Sequence, residues 1–161
     1  MRIKQQNLLR AFVGSLLVMS LVSCASLGFG PKPTRLEVSM EASPNLNPNS
    51  EGRPSPIVMR FYELSSADAF ETSDFFTLYD NEMPTLGKFI LFREEMTINP
   101  GQLKTFKREA KPETRYIGVI AAYRDLDNAR WRGILEVKPH EKTKIMIHLG
   151  SLSVSVTNVA K

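Results

Sequence analysis

The chain has 161 residues, of which 21 are lysine or arginine and 17 are aspartate or glutamate. This length suffices for one domain with its own hydrophobic core. The single cysteine excludes a disulfide bond within the chain.

Residues 1–23 have the composition of a secretory signal peptide. Three basic residues, Arg2, Lys4 and Arg10, precede an apolar run over residues 11–22. That run is shorter than the roughly 20 apolar residues of a membrane-spanning helix, and small residues lie near its end. Without this leader, 18 basic residues remain against 17 acidic ones, which is a net charge of +1. No basic cluster remains that would indicate binding to nucleic acid.

The sequence Leu-Val-Ser-Cys at residues 21–24 resembles the lipobox of bacterial lipoproteins. The resemblance implies cleavage before Cys24, a diacylglycerol on its sulfur and acylation of the new amino terminus. Two or more acyl chains anchor a protein stably, whereas one gives only marginal binding. Ala25 follows the cysteine, and bacterial lipoproteins that stay in the inner membrane favour aspartate there. We therefore expect a protein attached by lipid to the periplasmic face of the outer membrane; an ordinary secreted protein is the alternative.

The first part of the predicted domain, residues 35–161, contains one clear strand and one long loop. Residues 24–34 precede it and hold two glycines and two prolines, which predicts a flexible linker. Apolar and polar residues alternate over residues 35–42, which predicts a half-buried strand. Residues 43–55 then contain three prolines, three asparagines and one large apolar residue, Leu46. Loops usually have about 4–6 residues, and longer ordered ones are often functional.

The next segments predict a central strand and a helical insertion. Residues 56–64 are rich in strand-forming residues and apolar on both faces at their start. Aromatic residues at helical spacing in residues 65–84 predict one or two short helices that pack on the domain as a satellite cluster. An exposed aromatic docking face is the alternative for that segment. Residues 86–92 are apolar and fit either a short helix or a strand.

The rest of the chain alternates between strand and turn signals. The most apolar run, residues 116–123, predicts a central strand. Short strands at close intervals predict an all-β protein with a β-sandwich fold. Further strands are predicted around residues 96–98 and over 103–108, 131–137, 143–149 and 152–156, with turns at 99–101, 125–128, 138–141 and 150–151.

Few residues indicate chemistry. The two histidines, His140 and His148, fall in a predicted turn and on the outer face of a predicted strand, so surface roles are favoured. Residues 125–136 resemble an EF-hand only in part, because Ala129 and Arg130 occupy the places of an oxygen ligand and a glycine. No nucleophile motif or phosphate-binding loop is present in the sequence. We expect no enzyme, no metal and no cofactor.

Several blocks in the same order resemble one family. They are residues 49–56 and 60–64, Asp74-Phe75-Phe76-x-Leu78, residues 99–101, residues 117–125 and Ala129-x-Trp131-Arg132. Together with the lipobox they resemble the type VI secretion outer-membrane lipoprotein family (TssJ, also SciN or VasD). The resemblance implies a transthyretin-like β-sandwich of two sheets with a small helical addition and a protruding loop between the first two strands. It also implies that the protein binds the periplasmic domain of an inner-membrane TssM/IcmF-like protein and so anchors the secretion complex.

The protruding loop corresponds to residues 43–55 of this sequence. Its prolines stiffen the backbone, and Leu46 is the expected apolar anchor for the partner, surrounded by hydrogen-bonding amides. The expected contact residues are Asn45, Leu46, Asn47, Pro48 and Asn49. Two alternatives remain: a ligand-binding or chaperone-like lipoprotein, which needs an apolar cavity between the sheets, and an envelope enzyme, which needs a polar cleft.

Overall fold

The computed structural model of the protein describes residues 32–159. The predicted signal peptide, Cys24 and most of the linker lie outside these residues and stay predictions. The strands of the described part are β1 (Arg35–Ala42), β2 (Ile57–Leu64), β3 (Ile90–Ile98), β4 (Leu103–Glu109), β5 (Tyr116–Ala121), β6 (Arg132–Glu136), β7 (Lys142–Leu149) and β8 (Val154–Asn158).

These strands form two sheets of four. The first sheet has the order β4-β1-β7-β8, and the second sheet has the order β3-β2-β5-β6. β1 and β7 run parallel, whereas the other paired neighbours are antiparallel. The arrangement confirms the prediction of an all-β sandwich. β5 has a neighbour on each side, as its apolar sequence predicted.

Apolar side chains from both sheets fill the space between them. Leu36, Val38 and Met40 of β1 are buried, while the residues between them are partly exposed to solvent. Across the interior, the rings of Phe61 in β2 and Phe106 in β4 pack edge to face, with 5.6 Å between their centroids. Burial of apolar surface contributes about 25 cal/mol per Å², so this cluster provides the main driving force for folding.

A helical insertion between β2 and β3 covers the outer face of the second sheet. It consists of α1 (Asp68–Thr72), α2 (Phe75–Asp80), α3 (Glu82–Leu86) and the 3-10 turn Gly87–Phe89. Its buried residues, among them Phe70 and Leu78, pack with Tyr62 and Ile120 of the sheet in a second apolar cluster. The helical insertion and its satellite cluster are thus confirmed, but the insertion has three short helices and a 3-10 turn rather than one or two helices, and it ends at residue 89 rather than 84. Among residues 32–159, no helix has the length and apolar composition needed to cross a membrane.

The segment after the insertion resolves one ambiguity and shows where the chain changes sheets. Residues 86–92 contain both alternatives, because the 3-10 turn ends at Phe89 and β3 begins at Ile90. The chain turns at residues 99–101 and returns as β4, but β4 does not pair with β3. It pairs instead with β1 in the other sheet, where Glu109 lies opposite Arg35. The turn therefore carries the chain from one sheet to the other.

The N-terminal end of the sandwich is the end at which residues 32–34 enter β1. The β4–β5 loop and the β6–β7 loop meet there around Thr34. The N–H of Ala110 donates to the carbonyl of Thr34 (2.8 Å), and the N–H of His140 donates to the Thr34 hydroxyl (2.8 Å). This end thus gathers the start of the domain and two loops into one hydrogen-bonded region.

The loop end lies at the opposite end of the strands. There residues 43–56 join β1 to β2, and they contact two other loops. The N–H of Gly101 donates to the carbonyl of Ser43 (3.1 Å), and the N–H of Asn47 donates to the carbonyl of Ser151 (3.0 Å). The eight residues of β1 separate the two ends by about 26 Å, at roughly 3.3 Å per residue.

Candidate interaction site at the loop end

Asn49 organises the tip of the β1–β2 loop. Its Oδ1 accepts from the N–H groups of Glu51 (3.0 Å) and Arg53 (2.9 Å). Its own N–H donates to the carbonyl of Arg53 (2.9 Å), and its carbonyl accepts from the N–H of Gly52 (2.9 Å). Gly52 has a φ of 76°, a left-handed conformation that glycine adopts without steric penalty. The tip is therefore ordered in advance, which lowers the entropy lost when a partner binds.

The base of the same loop belongs to the protein interior. Leu46 is fully buried in the cluster between the sheets, and Asn47 is 2% exposed. Asn47 Nδ2 donates to the carbonyl of Pro56 (2.9 Å), and its Oδ1 accepts from the N–H of Arg124 (2.8 Å). Asn47 has a φ of 47°, which asparagine tolerates better than most residues. This residue fixes the loop to β2 and to the β5–β6 loop.

The burial of Leu46 and Asn47 corrects the expectation that residues 45–49 form one exposed contact surface. A fully buried side chain offers no area to a partner, so Leu46 is not a surface anchor. It closes the core at the loop end, and this packing role also explains part of the length of the loop. Asn45, Pro48 and Asn49 do lie at the surface, fully or partly exposed.

An open depression lies beside the loop tip, between three loops. Arg124 and Asp125 line it from the β5–β6 loop, opposite the tip. Both oxygens of Asp125 accept from Asn128 Nδ2 at 3.0 Å, so this carboxylate stabilises the predicted turn. A polar and charged surface of this kind matches the rim of protein–protein interfaces, which is polar and accessible to solvent. The lining residues are Pro48, Asn49, Ser50, Arg124, Asp125 and Leu152.

Tyr123 supports this end from inside. Its hydroxyl donates to the carbonyl of Ser153 at 2.7 Å and lies 3.2 Å from the carbonyl of Gly150. Burial raises the pKa of Tyr123, so the hydroxyl stays a neutral donor. Tyr123 follows β5 and thereby holds the β7–β8 loop against the second sheet. The sequence analysis did not identify this role, because a tyrosine at the end of an apolar run reads as an ordinary core residue.

The two histidines lie apart from one another, since His140 bonds to Thr34 at the N-terminal end and His148 lies opposite Glu41 towards the loop end. His148 is exposed on β7, in agreement with its predicted place on the outer face. His140 has a φ of 64°, and its Nδ1 lies 2.8 Å from the carbonyl of Lys32 at the N-terminal end. Within residues 32–159, no three histidine, cysteine, aspartate or glutamate side chains are grouped so that they hold a metal ion.

A charged network joins the insertion to the second sheet. Glu82 Oε2 accepts from the Tyr62 hydroxyl (2.6 Å) and from Arg93 Nε (3.0 Å). Glu95 Oε2 accepts from Arg60 Nε (2.8 Å) and from Arg93 Nη2 (2.7 Å). Burial, together with the bond to Glu82, raises the pKa of Tyr62. Sequence analysis missed the network because these residues become neighbours only when β2 pairs with β3 and the insertion folds over both.

Comparison with known proteins gives consistent matches. The family described as "Type VI secretion lipoprotein, VasD, EvfM, TssJ" matches residues 34–152. The type VI secretion lipoprotein TssJ1 from Pseudomonas aeruginosa is 36% identical, with a TM-score of 0.77 over 80% of this chain and 98% of that chain. Serratia marcescens Lip, a membrane-bound component of the type VI secretion system, is 28% identical, with a TM-score of 0.70 over 80% and 98% of the two chains.

A third structural match shows the fold alone. A chain of a type VI membrane complex is 19% identical, with a TM-score of 0.64 over 80% of this chain and 100% of that chain. Comparison with proteins of curated function found no significant match. The family match extends over more than half of the chain, and the relative that is 36% identical is covered almost completely. The chain therefore belongs to the type VI secretion lipoprotein family of VasD, EvfM and TssJ.

Proposed function

We propose that this lipoprotein anchors the trans-envelope complex of a type VI secretion system to the outer membrane. Acyl chains on Cys24 hold it at the periplasmic face of that membrane, and its loop end binds the periplasmic domain of a TssM/IcmF-like inner-membrane protein. Family membership supports the assignment to this secretion system. The description of the relative Lip as membrane-bound supports attachment to a membrane. The role is structural, and we assign no catalytic step to it.

The position of the loop tip is the observation that carries the proposal. The linker before the domain joins β1 at the N-terminal end, and the ordered tip lies at the opposite end, about 26 Å away along β1. Ten linker residues, 25–34, reach at most about 35 Å when extended. The loop end can therefore contact a partner up to roughly 60 Å from the lipid surface. The tip is therefore the part of the domain farthest along the chain direction from the linker, where a partner that approaches from the periplasm can reach it.

The proposed contact surface consists of the exposed part of the loop and the depression beside it. Asn45, Pro48 and Asn49 lie on one side, and Arg124 and Asp125 on the other. The surface is small and largely polar, so the affinity of one contact is modest. Attachment to the same envelope raises the effective concentration of both partners, and several weak contacts then act together.

The filled interior does not favour a ligand-binding or chaperone-like lipoprotein. That alternative needs an apolar cavity between the sheets. In this structure Phe61 occupies the space, and its ring centroid lies 5.6 Å from that of Phe106 and 6.5 Å from that of Phe92.

The partner contact is tested with substitutions that leave Leu46 and Asn47 in place. Ser50→Trp and Arg124→Glu each alter the exposed surface at the loop end. The acylated protein in nanodiscs is titrated with the purified TssM-like periplasmic domain of the same secretion system. We expect at least tenfold weaker binding for both variants, equivalent to about 1.4 kcal/mol.

Glu113→Trp is the matched control for the binding experiment. It introduces the same indole side chain at an exposed position of the N-terminal end and should leave the affinity unchanged. If Ser50→Trp and Arg124→Glu bind as tightly as the unchanged protein, the interface lies elsewhere on the domain. In that case the partner assignment to the loop end is wrong, even if the membrane anchor is correct.

Membrane attachment is tested separately through Cys24. Cys24→Ser should prevent the incorporation of labelled palmitate and remove the protein from the outer-membrane fraction. If the variant still fractionates with the outer membrane, and the unchanged protein takes up no palmitate, the lipid anchor is absent.

A further inference from the structure

The outer surface of the helical insertion is acidic and partly apolar. Residues 66–89 contain five carboxylates and one basic residue, the exposed Lys88. Phe76 and Met83 project from the same insertion with 62% and 69% of their surface exposed. The carboxylates are Asp68, Glu71, Asp74, Asp80 and Glu82, of which the first four are exposed.

The outer face of the first sheet carries the opposite charge near the N-terminal end. Four basic residues stand there against two carboxylates, Glu37 and Glu109. Glu37 is already held by Lys142 (2.9 Å) and Lys107 (3.1 Å), so it neutralises only part of this surface. Further along the same face, the exposed Glu41 lies opposite Leu103, which has 74% of its surface exposed. The basic residues are Arg35, Lys107, Lys142 and Lys144.

The two surfaces lie on opposite sides of the sandwich and at the same level along the strands. Tyr62 and Leu64 carry the insertion on the outer face of the second sheet. Glu63, between them, points inward and lies 2.7 Å from Arg108. Arg108 pairs with Leu36, which is next to Arg35 in β1. The acidic and the basic surface are therefore at equal height above the N-terminal end.

We propose that copies of this chain pack side by side on the membrane, with the acidic insertion of one copy against the basic sheet face of the next. This inference rests on the membrane attachment proposed above. Because the two surfaces are opposite and level, neighbouring copies meet with their N-terminal ends pointing in one direction, as attachment to one membrane requires. The contact joins two different surfaces, so it continues from copy to copy in a row or closes into a ring.

The size of the contact explains why the membrane matters. Four strands about 4.8 Å apart and about 26 Å long present roughly 500 Å² on the first sheet. A stable interface usually buries about 800 Å² on each partner. The contact is thus weak between free molecules and becomes populated when attachment raises the local concentration. Its exposed charges make it sensitive to salt.

Charge reversal on each surface provides the test. One variant combines Asp68→Lys, Glu71→Lys and Asp80→Lys, which makes the insertion basic; the other combines Lys107→Glu with Lys144→Glu, which makes the sheet face acidic. Asp74 is kept because it caps α2 through the N–H of Thr77 (2.9 Å). The full acylated protein, labelled at a cysteine that replaces Glu113, is placed on phosphatidylcholine vesicles, and energy transfer between donor- and acceptor-labelled copies is measured.

The expected pattern is specific to the two surfaces. The unchanged protein should show energy transfer that falls at least threefold at high salt, and each variant alone should show none above the random level. A mixture of the two variants should recover the energy transfer. In a row in which the variants alternate, the basic insertion of one variant meets the acidic sheet face of the other, and the acidic insertion of the second meets the unchanged basic sheet face of the first. Asp127→Lys reverses an exposed charge of the β5–β6 loop at the loop end and should have no effect.

Two outcomes would overturn the inference. One is that energy transfer between copies of the unchanged protein does not exceed the level expected for randomly distributed molecules at the same surface density. The other is a mixture that behaves like either variant alone. If the protein does not enter the vesicles, the proposed anchor fails. Self-association is then decided by the same energy-transfer measurement with the proteins held on nickel-chelating lipids by a histidine tag placed before residue 32. Neither measurement includes the TssM-like domain, so its result does not depend on whether that domain binds the loop end.

Discussion

Glu63 and Arg108 form an ion pair that joins the two sheets, with Glu63 Oε1 2.7 Å from Arg108 Nε. Glu63 is fully buried, and its Oε2 also accepts from the N–H of Lys111 (2.9 Å) and from the Thr114 hydroxyl (2.7 Å). The guanidinium carbon of Arg108 lies 3.4 Å from the centroid of the Phe92 ring. A buried charge needs such compensation, so the pair fixes the sheets relative to each other at the N-terminal end.

Removing one partner of this pair should strongly destabilise the domain. Arg108→Met leaves the carboxylate of Glu63 buried without a counter-charge, and we expect a loss of about 3–5 kcal/mol in the free energy of unfolding. Combining it with Glu63→Gln removes the charge but keeps an acceptor for Thr114, so the double variant should regain at least half of the loss. Urea unfolding measures both. A loss below about 1 kcal/mol in the single variant would contradict the role of the pair.

Gly118 allows the insertion to approach the second sheet. A Cβ atom at this position would lie 2.8 Å from the ring of Phe70. Gly118→Ala should therefore destabilise the protein by about 1–3 kcal/mol through overpacking, and less when Phe70→Leu provides room. Gly87→Ala is the control, since its Cβ would have an ordinary contact of 3.5 Å with Met83. Equal melting curves for the two alanine variants would refute the close contact.

Asn47 should matter more for stability than the neighbouring asparagine. Asn47→Ala leaves the buried N–H of Arg124 and carbonyl of Pro56 without their partners, which costs about 1–3 kcal/mol. Asn45→Ala changes an exposed side chain and should alter stability by less than about 0.5 kcal/mol. Thermal unfolding distinguishes the two. A larger loss of stability for Asn45→Ala than for Asn47→Ala would mean that Asn47 does not fix the base of the loop.

The ion pairs of Glu95 should make stability depend on pH. The hydrogen bond from Arg60 lowers the pKa of Glu95 below its ordinary value of 4.5. Its contribution is thus complete above pH 4.5 and is lost as the pH falls through the lowered pKa. Since this side chain is 41% exposed, Glu95→Gln should cost only about 0.2–1 kcal/mol at neutral pH.

The difference between Glu95→Gln and the unchanged protein should vanish as the pH falls. Urea unfolding from neutral pH downward measures this trend, with the exposed Glu113→Gln as a control whose effect stays below about 0.5 kcal/mol. A difference that persists unchanged in acid would show that the amide acts through packing rather than through loss of charge.

The sequence by itself determined most of the strand segments and the class of the fold, but not the full extent of β3, which runs from Ile90 to Ile98 through residues that it left ambiguous or unassigned. Alternation over residues 35–42 and the apolar run over residues 116–123 are local patterns, and a strand places alternate side chains on opposite faces wherever it pairs. The aromatic residues at helical spacing in residues 65–84 likewise located the insertion. The ordered blocks were sufficient to indicate the family, which the family match and the structural relatives confirm.

Only the tertiary structure decided which residues of the β1–β2 loop are buried and which are exposed. One apolar residue in a polar loop fits both a binding anchor and a core residue, and the packing of Leu46 between the sheets selected the second. The pair of Glu63 with Arg108 and the opposite charges of the two outer faces also arise from strands distant in sequence. Such contacts depend on sheet pairing and register, and no local pattern contains that information.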